Sequence, residues 1–239
     1  MEADIIFLVA SFLAASAATV AGFGSSTLMI PVAFYFMDPK TAIFLVACFH
    51  LFNNLFKVKA FWKKIDWPTV VMFGGPSILL AFLGAALVSE LPIVLIKQCA
   101  GGFLVLFSVY SFMNPQAGIK NKQINSFIGG TLSGFLAGLI GLGGAVRAAF
   151  LVTFNLPKEV YVATAAFIAM IVDCTRIPTY LLTDVVQDES VYRLLPFLLG
   201  TAYAGVRVGK LLLNKISQTL FKRVVLIALI LVGLKLMVG

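Results

Sequence analysis

Residues 22–26, Gly-Phe-Gly-Ser-Ser, and residues 141–145, Gly-Leu-Gly-Gly-Ala, each cut in two a stretch that is otherwise apolar, at about 5–37 and about 125–154. Glycine in a helix interior is about 1 kcal/mol worse than alanine. Clustered glycines at the centre of an apolar stretch therefore argue against one ordinary helix. Six uninterrupted apolar runs surround them, at about 40–62, 68–88, 92–113, 159–182, 191–213 and 218–238. Each is close to the ~20 residues that a helix needs to cross the hydrocarbon core, so six full spans are expected.

Composition agrees with a membrane protein. Of 239 residues, 61% are hydrophobic and 12% charged, with a mean hydropathy of +1.03. Soluble domains are roughly half apolar and a quarter charged. The start, Met1-Glu2-Ala3-Asp4, is acidic where a secretory signal is basic, so the first apolar stretch is expected to stay in the protein. Cys48, Cys99 and Cys174 stand singly in apolar runs without CxxC spacing, which argues against a disulfide framework and a metal site. No metal or cofactor is expected. The formal net charge of +8 reads as membrane sidedness rather than nucleic-acid binding.

The two glycine breaks belong to a longer correspondence. Asp38-Pro39-Lys40 answers Leu156-Pro157-Lys158, Asn54-x-x-Lys57 answers Asp173-x-x-Arg176, and Gly84 answers Gly209, all in order and offset by 118 to 125 residues. The chain divides into a first membrane repeat at 1–113, a polar linker at 114–124 and a second repeat at 125–239. The connection at 57–66 carries Lys57, Lys59, Lys63 and Lys64 against Asp66. Its counterpart at 183–190 carries Asp184, Asp188 and Glu189 and no base. Lysine-rich loops stay in the cytoplasm, so equivalent loops lie on opposite sides and the repeats are inverted. Lys210, Lys215, Lys222 and Arg223, with Glu90 in the first half, follow the same scheme. Both termini then face outside a cytoplasmic (inner) membrane.

With three full spans per half, each interrupted stretch must begin and end on one side. The expected fold is therefore all-α, two inverted repeats, each a re-entrant helical hairpin plus three transmembrane helices. The chain on either side of each break is too short for two full spans. Irregular backbone at membrane depth is tolerated only in protein or against a wet cavity. The alternative is that the glycines simply allow close helix packing.

The residues with chemistry gather around this scheme. Ser25, Ser26 and Thr27 follow Gly22 and Gly24; Gly144 and Ala145 follow Gly141 and Gly143. Two helix N-termini aimed at mid-membrane would form a dehydrated anion site, although such serines more commonly cap their own helix. Gly24 and Gly143 are expected to leave room for an anion to approach the backbone, whereas Gly233 lies far from either break. Arg147 stands just past the second break among apolar residues, where arginine costs about 2.5–3.5 kcal/mol on insertion scales. Asp173 and Arg176 are three residues apart, and a purely structural ion pair is one reading of them. Arg207 is expected to snorkel. His50, Asn53, Asn54 and Lys57 share one side of their span by i, i+3, i+4, i+7 spacing and should face inward. His50, the only histidine, suits either proton coupling or a plain interhelical hydrogen bond. No Walker loop, paired catalytic carboxylates or Ser-His-Asp order is present, so an enzyme is not expected.

These features resemble the sulfite exporter TauE/SafE family of membrane permeases. The resemblance spans nearly the whole chain, through GFGSSTLMIPV at 22–32, GLGGA, the Pro-Lys turns, Ile65-Asp66-Trp67 and Arg176-x-x-x-Tyr180. It implies transport of sulfite, thiosulfate or organosulfonates, usually without an ATPase partner, with the break residues and Arg176 at or near the pathway. Ser25 and Ser26 depart from a glycine-richer first break. The leading reading is a secondary transporter for a small sulfur-containing anion working by alternating access. The alternative is an anion channel for small oxyanions or carboxylates. The expected partners are the small anionic substrate and the lipid bilayer, not nucleic acid, with a homo-oligomer left open.

Overall fold

A computed structural model describes residues 2–22, 24–87, 93–113, 122–182 and 189–238. No strand occurs among them. The helices are α1 Glu2–Ala21, α2 Ser25–Phe36, α3 Pro39–Phe61, α4 Trp67–Thr69, α5 Gly75–Ala86, α6 Ile93–Met113, α7 Lys122–Ile140, α8 Gly143–Val152, α9 Lys158–Leu182, α10 Leu195–Lys215 and α11 Gln218–Val238. The acidic stretch Asp184 to Asp188, Glu90 and most of the 114–124 linker lie outside the described residues. α7 begins within the expected linker, at Lys122.

Among the described residues, four helical stretches are long and apolar enough to cross a membrane: Asp4–Ala21, Pro39–Lys64, Trp67–Ala86 and Lys158–Leu182. Three are spans read from the sequence. The fourth is the arm before the first break, which the hairpin reading treated as part of one re-entrant element. The arms are in fact unequal: 20 residues before and 12 after the first break, 19 and 10 at the second. At 1.5 Å per residue the long arms reach roughly 30 Å and the short ones roughly 15–18 Å. The other three expected spans are α6, α10 and α11, each of 21 residues.

Local chemistry sets the helix boundaries. Asp38 caps α3, its carboxylate accepting from the backbone N–H of Lys40 at 3.1 Å and Thr41 at 3.0 Å, with Pro39 in the first turn. The second half has Leu156 in place of that aspartate, and Gln218 of α11 accepts from the Lys158 N–H instead, at 2.8 Å. Between α4 and α5 the chain makes a wide π turn, Val70–Gly74. Pro76, which has no N–H to donate, follows directly.

The main helix pairs join one half to the other. α1 packs along α10 and α7 along α5; α3 packs on α9 and α6 on α11; α3 also meets α10, and α9 meets α5. Matching α1 with α7, α2 with α8, α3 with α9, α5 with α10 and α6 with α11, an exchange of halves sends each of these contacts onto another or onto itself. Small residues bring the backbones together. Gly130, Gly134 and Gly138 of α7 lie against Phe73, Ser77 and Ala81, while Gly205 and Gly209 of α10 lie against Ala15 and Thr19. Both pairs are thus parallel and in register. Gly101 and Gly233 face each other across an antiparallel α6–α11 contact. Gly233 therefore has a packing duty, and a bulky side chain there would strike the Gly101 carbonyl.

Candidate anion site

The two breaks meet at the centre of the molecule. Gly22, Gly24 and Gly141 adopt left-handed φ values of 73°, 91° and 74°, which L side chains rarely hold. A Cβ on Gly24 would sit 2.6 Å from His50 Nε2 and 3.5 Å from the Gly144 Cα. The first break, the second break and α3 thus converge. Gly22 abuts the Tyr161 ring, and a Cβ on Gly141 would meet Ile30 and, at 3.4 Å, the Arg176 guanidinium.

The polar stripe on α3 points inward, as its spacing requires. His50, Asn53, Asn54 and Lys57 are buried, as are Ser25, Ser26, Thr27, Arg147, Asp173 and Arg176. Asp173 is the hub. Its Oδ1 accepts from Arg176 Nε and Nη2, both at 2.8 Å, and its Oδ2 faces His50 Nδ1 at 2.8 Å. A carboxylate paired with arginine only accepts, so His50 donates through Nδ1. The local ion pair read from sequence is therefore real, and it extends across α3 and α9. Arg176 also donates from Nη1 to the Ala137 carbonyl at 2.7 Å, and the Tyr180 hydroxyl donates to the Gly138 carbonyl. Ser133 Oγ donates to the Gly143 carbonyl at 2.8 Å. Carbonyls on both sides of the second break are thereby satisfied by side chains.

The remaining groups have no such partners. Ser25 Oγ, Thr27 Oγ1, His50 Nε2, both amide atoms of Asn53, Asn54 Nδ2 and Arg147 Nε are buried without a hydrogen bond in the protein. Ser25 does not cap its helix; Gly24 holds the N-cap position without a side-chain bond. Among the described residues no ion pair joins Lys57 or Arg147 to an acid. Both lie within electrostatic range of Asp173 and of each other. Among the described residues three buried basic groups, Lys57, Arg147 and Arg176, thus face one acid, Asp173; Arg176 pairs with it, which leaves the Arg147 guanidinium as an uncompensated positive charge beside a Lys57 amine that has no acid of its own. Burial of unpaired charge is strongly unfavourable, so such an excess stands only where something negative or wet offsets it. A small anion is the simplest occupant by charge.

The family model for the sulfite exporter TauE/SafE family matches residues 7–236. The chain belongs to the TauE/SafE sulfite exporter family. Its members are membrane transporters for sulfite and related sulfur anions, in keeping with the apolar helices and the electropositive centre. No curated protein and no solved structure matches the chain.

The two glycines expected to admit an anion differ in what surrounds them. At Gly143 a Cβ would run into the Ser133 carbonyl and the Ala137 side chain on α7. This glycine packs α8 closely on α7. At Gly24 a Cβ would instead meet His50 Nε2 and the Gly144 Cα across the two breaks. Ser133 and the Ala137 and Gly138 carbonyls escaped the sequence reading, because a backbone acceptor has no residue signature. Asn53, on the same α3 stripe, has both amide atoms buried without partners.

Proposed function

We propose that the protein is a secondary transporter that moves a small sulfur oxyanion, sulfite, thiosulfate or an organosulfonate, across the cytoplasmic membrane by alternating access. The anion binds where the two broken helices meet. The observation that carries the reading is the buried, unpaired guanidinium of Arg147, with the Lys57 amine and orphaned donors around it. A pyramidal or tetrahedral anion offers several acceptor oxygens, enough to take bonds from the arginine, the lysine, Ser25, Thr27 and the Asn54 amide together. Charge-assisted bonds of this kind are roughly twice as strong as neutral ones. The N-termini of α2 and α8 add about 0.3–1 kcal/mol each if exposed, and up to ~2 kcal/mol when partly buried.

Inverted repeats are supported by counterpart helices that pack antiparallel. His50 pairs with Asp173, whereas Trp62 and Trp67, just past the end of α3, meet Phe167, which precedes Asp173 in α9. α6 and α11 do the same. Re-entrant hairpins are supported by direction: α1 and α3 both run parallel to α10, so α2 between them returns. Single cysteines at Ile65 and Gln187, in a background without native cysteines, test this orientation and should label from opposite sides.

The functional test is transport of labelled sulfite and thiosulfate in proteoliposomes. Saturable uptake stimulated by anion loaded on the opposite side is expected of a carrier. Non-saturating flux without such exchange would point to a channel. No flux by either anion in the wild type, with Arg147→Gln binding them as well as wild type, would sink the proposal.

A further inference from the structure

A second electropositive site lies on the outside of the helix bundle. One face of α3 (Phe56, Lys59, Ala60) and one face of α10 (Tyr203, Arg207, Lys210, with Val206) enclose a pocket of about 250 Å³. Three cations line it and no acid does. Arg207 is aimed rather than loose: its Nε and Nη2 donate to the Tyr203 hydroxyl at 3.0 and 2.6 Å, and its guanidinium lies 5.2 Å from that ring. Lys210 donates to the Ala60 carbonyl at 3.2 Å and lies over Phe61. Of the five N–H groups of a guanidinium, those two bonds leave three to serve a ligand, and Lys59 is exposed.

The surroundings decide what that ligand is. Leu55, Leu199, Val208 and Leu211 are exposed around the pocket, which is the surface that lipid tails cover. An open apolar groove of about 430 Å³ lies further toward the N-terminal end of α10, between Gly200, Thr201 and Ala204 and the Ile5 to Phe12 part of α1. Trp62 and Trp67, both exposed, stand at the same end of α3, and tryptophan prefers the membrane–water boundary. A charged head at the boundary with apolar surface running toward mid-membrane fits a lipid better than a free ion. Basic pockets between transmembrane helices bind anionic headgroups in this manner.

We infer that the Lys59, Arg207 and Lys210 pocket binds the phosphodiester headgroup of an anionic phospholipid in the leaflet on the lysine-rich side. The site is separate from the central one and does not depend on the transport proposal.

The chain contains only two tryptophans, both at this end, so brominated lipids report occupancy by quenching. In full-length protein reconstituted in phosphatidylcholine, brominated phosphatidylglycerol should quench preferentially over brominated phosphatidylcholine. The K59Q/R207Q/K210Q variant should lower that preference roughly hundredfold, and Lys59→Gln or Arg207→Gln alone roughly fivefold. The single variants alter exposed side chains, so they keep the test open if the triple variant folds poorly. Sulfite binding at the central site should be unchanged in both. Equal preference in wild type and single variants would overturn the inference. So would displacement of the brominated lipid by inorganic phosphate or sulfite, which would make the pocket a vestibule for free anions.

Discussion

The two breaks look alike in sequence and differ in how their polar groups are used. At the second, Arg176 and Tyr180 from α9 and Ser133 from α7 fasten the backbone on both sides of the turn. At the first, Ser25, Thr27 and the facing Nε2 of His50 are buried and unfastened. Inside a protein a satisfied polar network rigidifies, whereas an unpartnered polar group is costly. The second break is therefore built as a fixed post, whereas the first leaves its polar groups unsatisfied by the protein. The asymmetry also separates the arginines: Arg176 is consumed by the post, and Arg147 has its buried Nε without a partner.

That separation predicts the largest effect. Arg176→Gln leaves Asp173 with only His50 and strips the Ala137 carbonyl of its strongest donor. Removing one partner of a buried ion pair destabilises by about 3–5 kcal/mol, so a large fall in unfolding midpoint is expected in detergent. Arg147→Gln should leave that midpoint at or above wild type, since it removes an unpaired buried charge. It should weaken thiosulfate binding about 10- to 150-fold, the loss of one hydrogen bond to a charged group at about 1.5–3 kcal/mol. The reverse pattern, a stable Arg176→Gln that fails to bind and an unstable Arg147→Gln, would break the comparison. A stable Arg176→Gln would also return the arginine to the pathway role that the family resemblance implies.

The glycines give the next test. Gly24→Ala places a Cβ at φ 91° and 2.6 Å from His50 Nε2. Left-handed backbone costs a non-glycine residue roughly 1–2 kcal/mol, and the imidazole must shift away from the site. Binding should fall together with that modest loss of stability. Gly143→Ala meets the Ser133 carbonyl on the neighbouring helix, so stability should fall first, and the protein that remains folded should bind normally. Calorimetric binding on the folded fraction separates the two, and equal binding defects in both would show that the breaks act alike.

Much of this was legible in the sequence because it depends on short-range periodicity. An apolar run of about twenty residues can satisfy its own backbone only as a helix in lipid, so the existence of α3, α5, α6, α9, α10 and α11 followed directly. The inward face of α3 followed from the spacing of His50, Asn53, Asn54 and Lys57, and the Asp173–Arg176 pair from its three-residue separation. What depends on chain crossings did not follow. His50 and Asp173 are 123 residues apart, and nothing in either neighbourhood names the other. The unequal arms were also hidden, because hydropathy locates a break but not the depth to which each arm reaches. Gly24 and Gly143 differ in backbone φ and in what a Cβ would strike, questions about conformation and neighbours that residue identity does not answer.

The smallest expected effect is also the sharpest, because it turns on sign. Ser133→Ala removes a hydroxyl that donates to the Gly143 carbonyl and leaves that buried carbonyl without this donor. A net loss of about 1 kcal/mol is expected, near the mean for a protein hydrogen bond. Ser25→Ala removes a buried hydroxyl that has no partner. Deleting an unsatisfied polar group relieves its desolvation penalty, so the apo protein should be unchanged or slightly more stable. In sulfite or thiosulfate the order should invert. Ser25→Ala should gain less stability from the anion than wild type does, because one of its donors to the ligand is gone. Ser133→Ala should gain as much as wild type. Unfolding midpoints of the three proteins, measured across an anion titration, check both halves of the statement. If Ser25→Ala destabilises the apo protein as much as Ser133→Ala does, the serine is holding the helix rather than awaiting a ligand, and the first break is a post like the second. If Ser25→Ala is stabilised by the anion as fully as wild type, the anion does not reach the start of α2. The site would then lie nearer Arg147 and Lys57, on the α8 side of the meeting point.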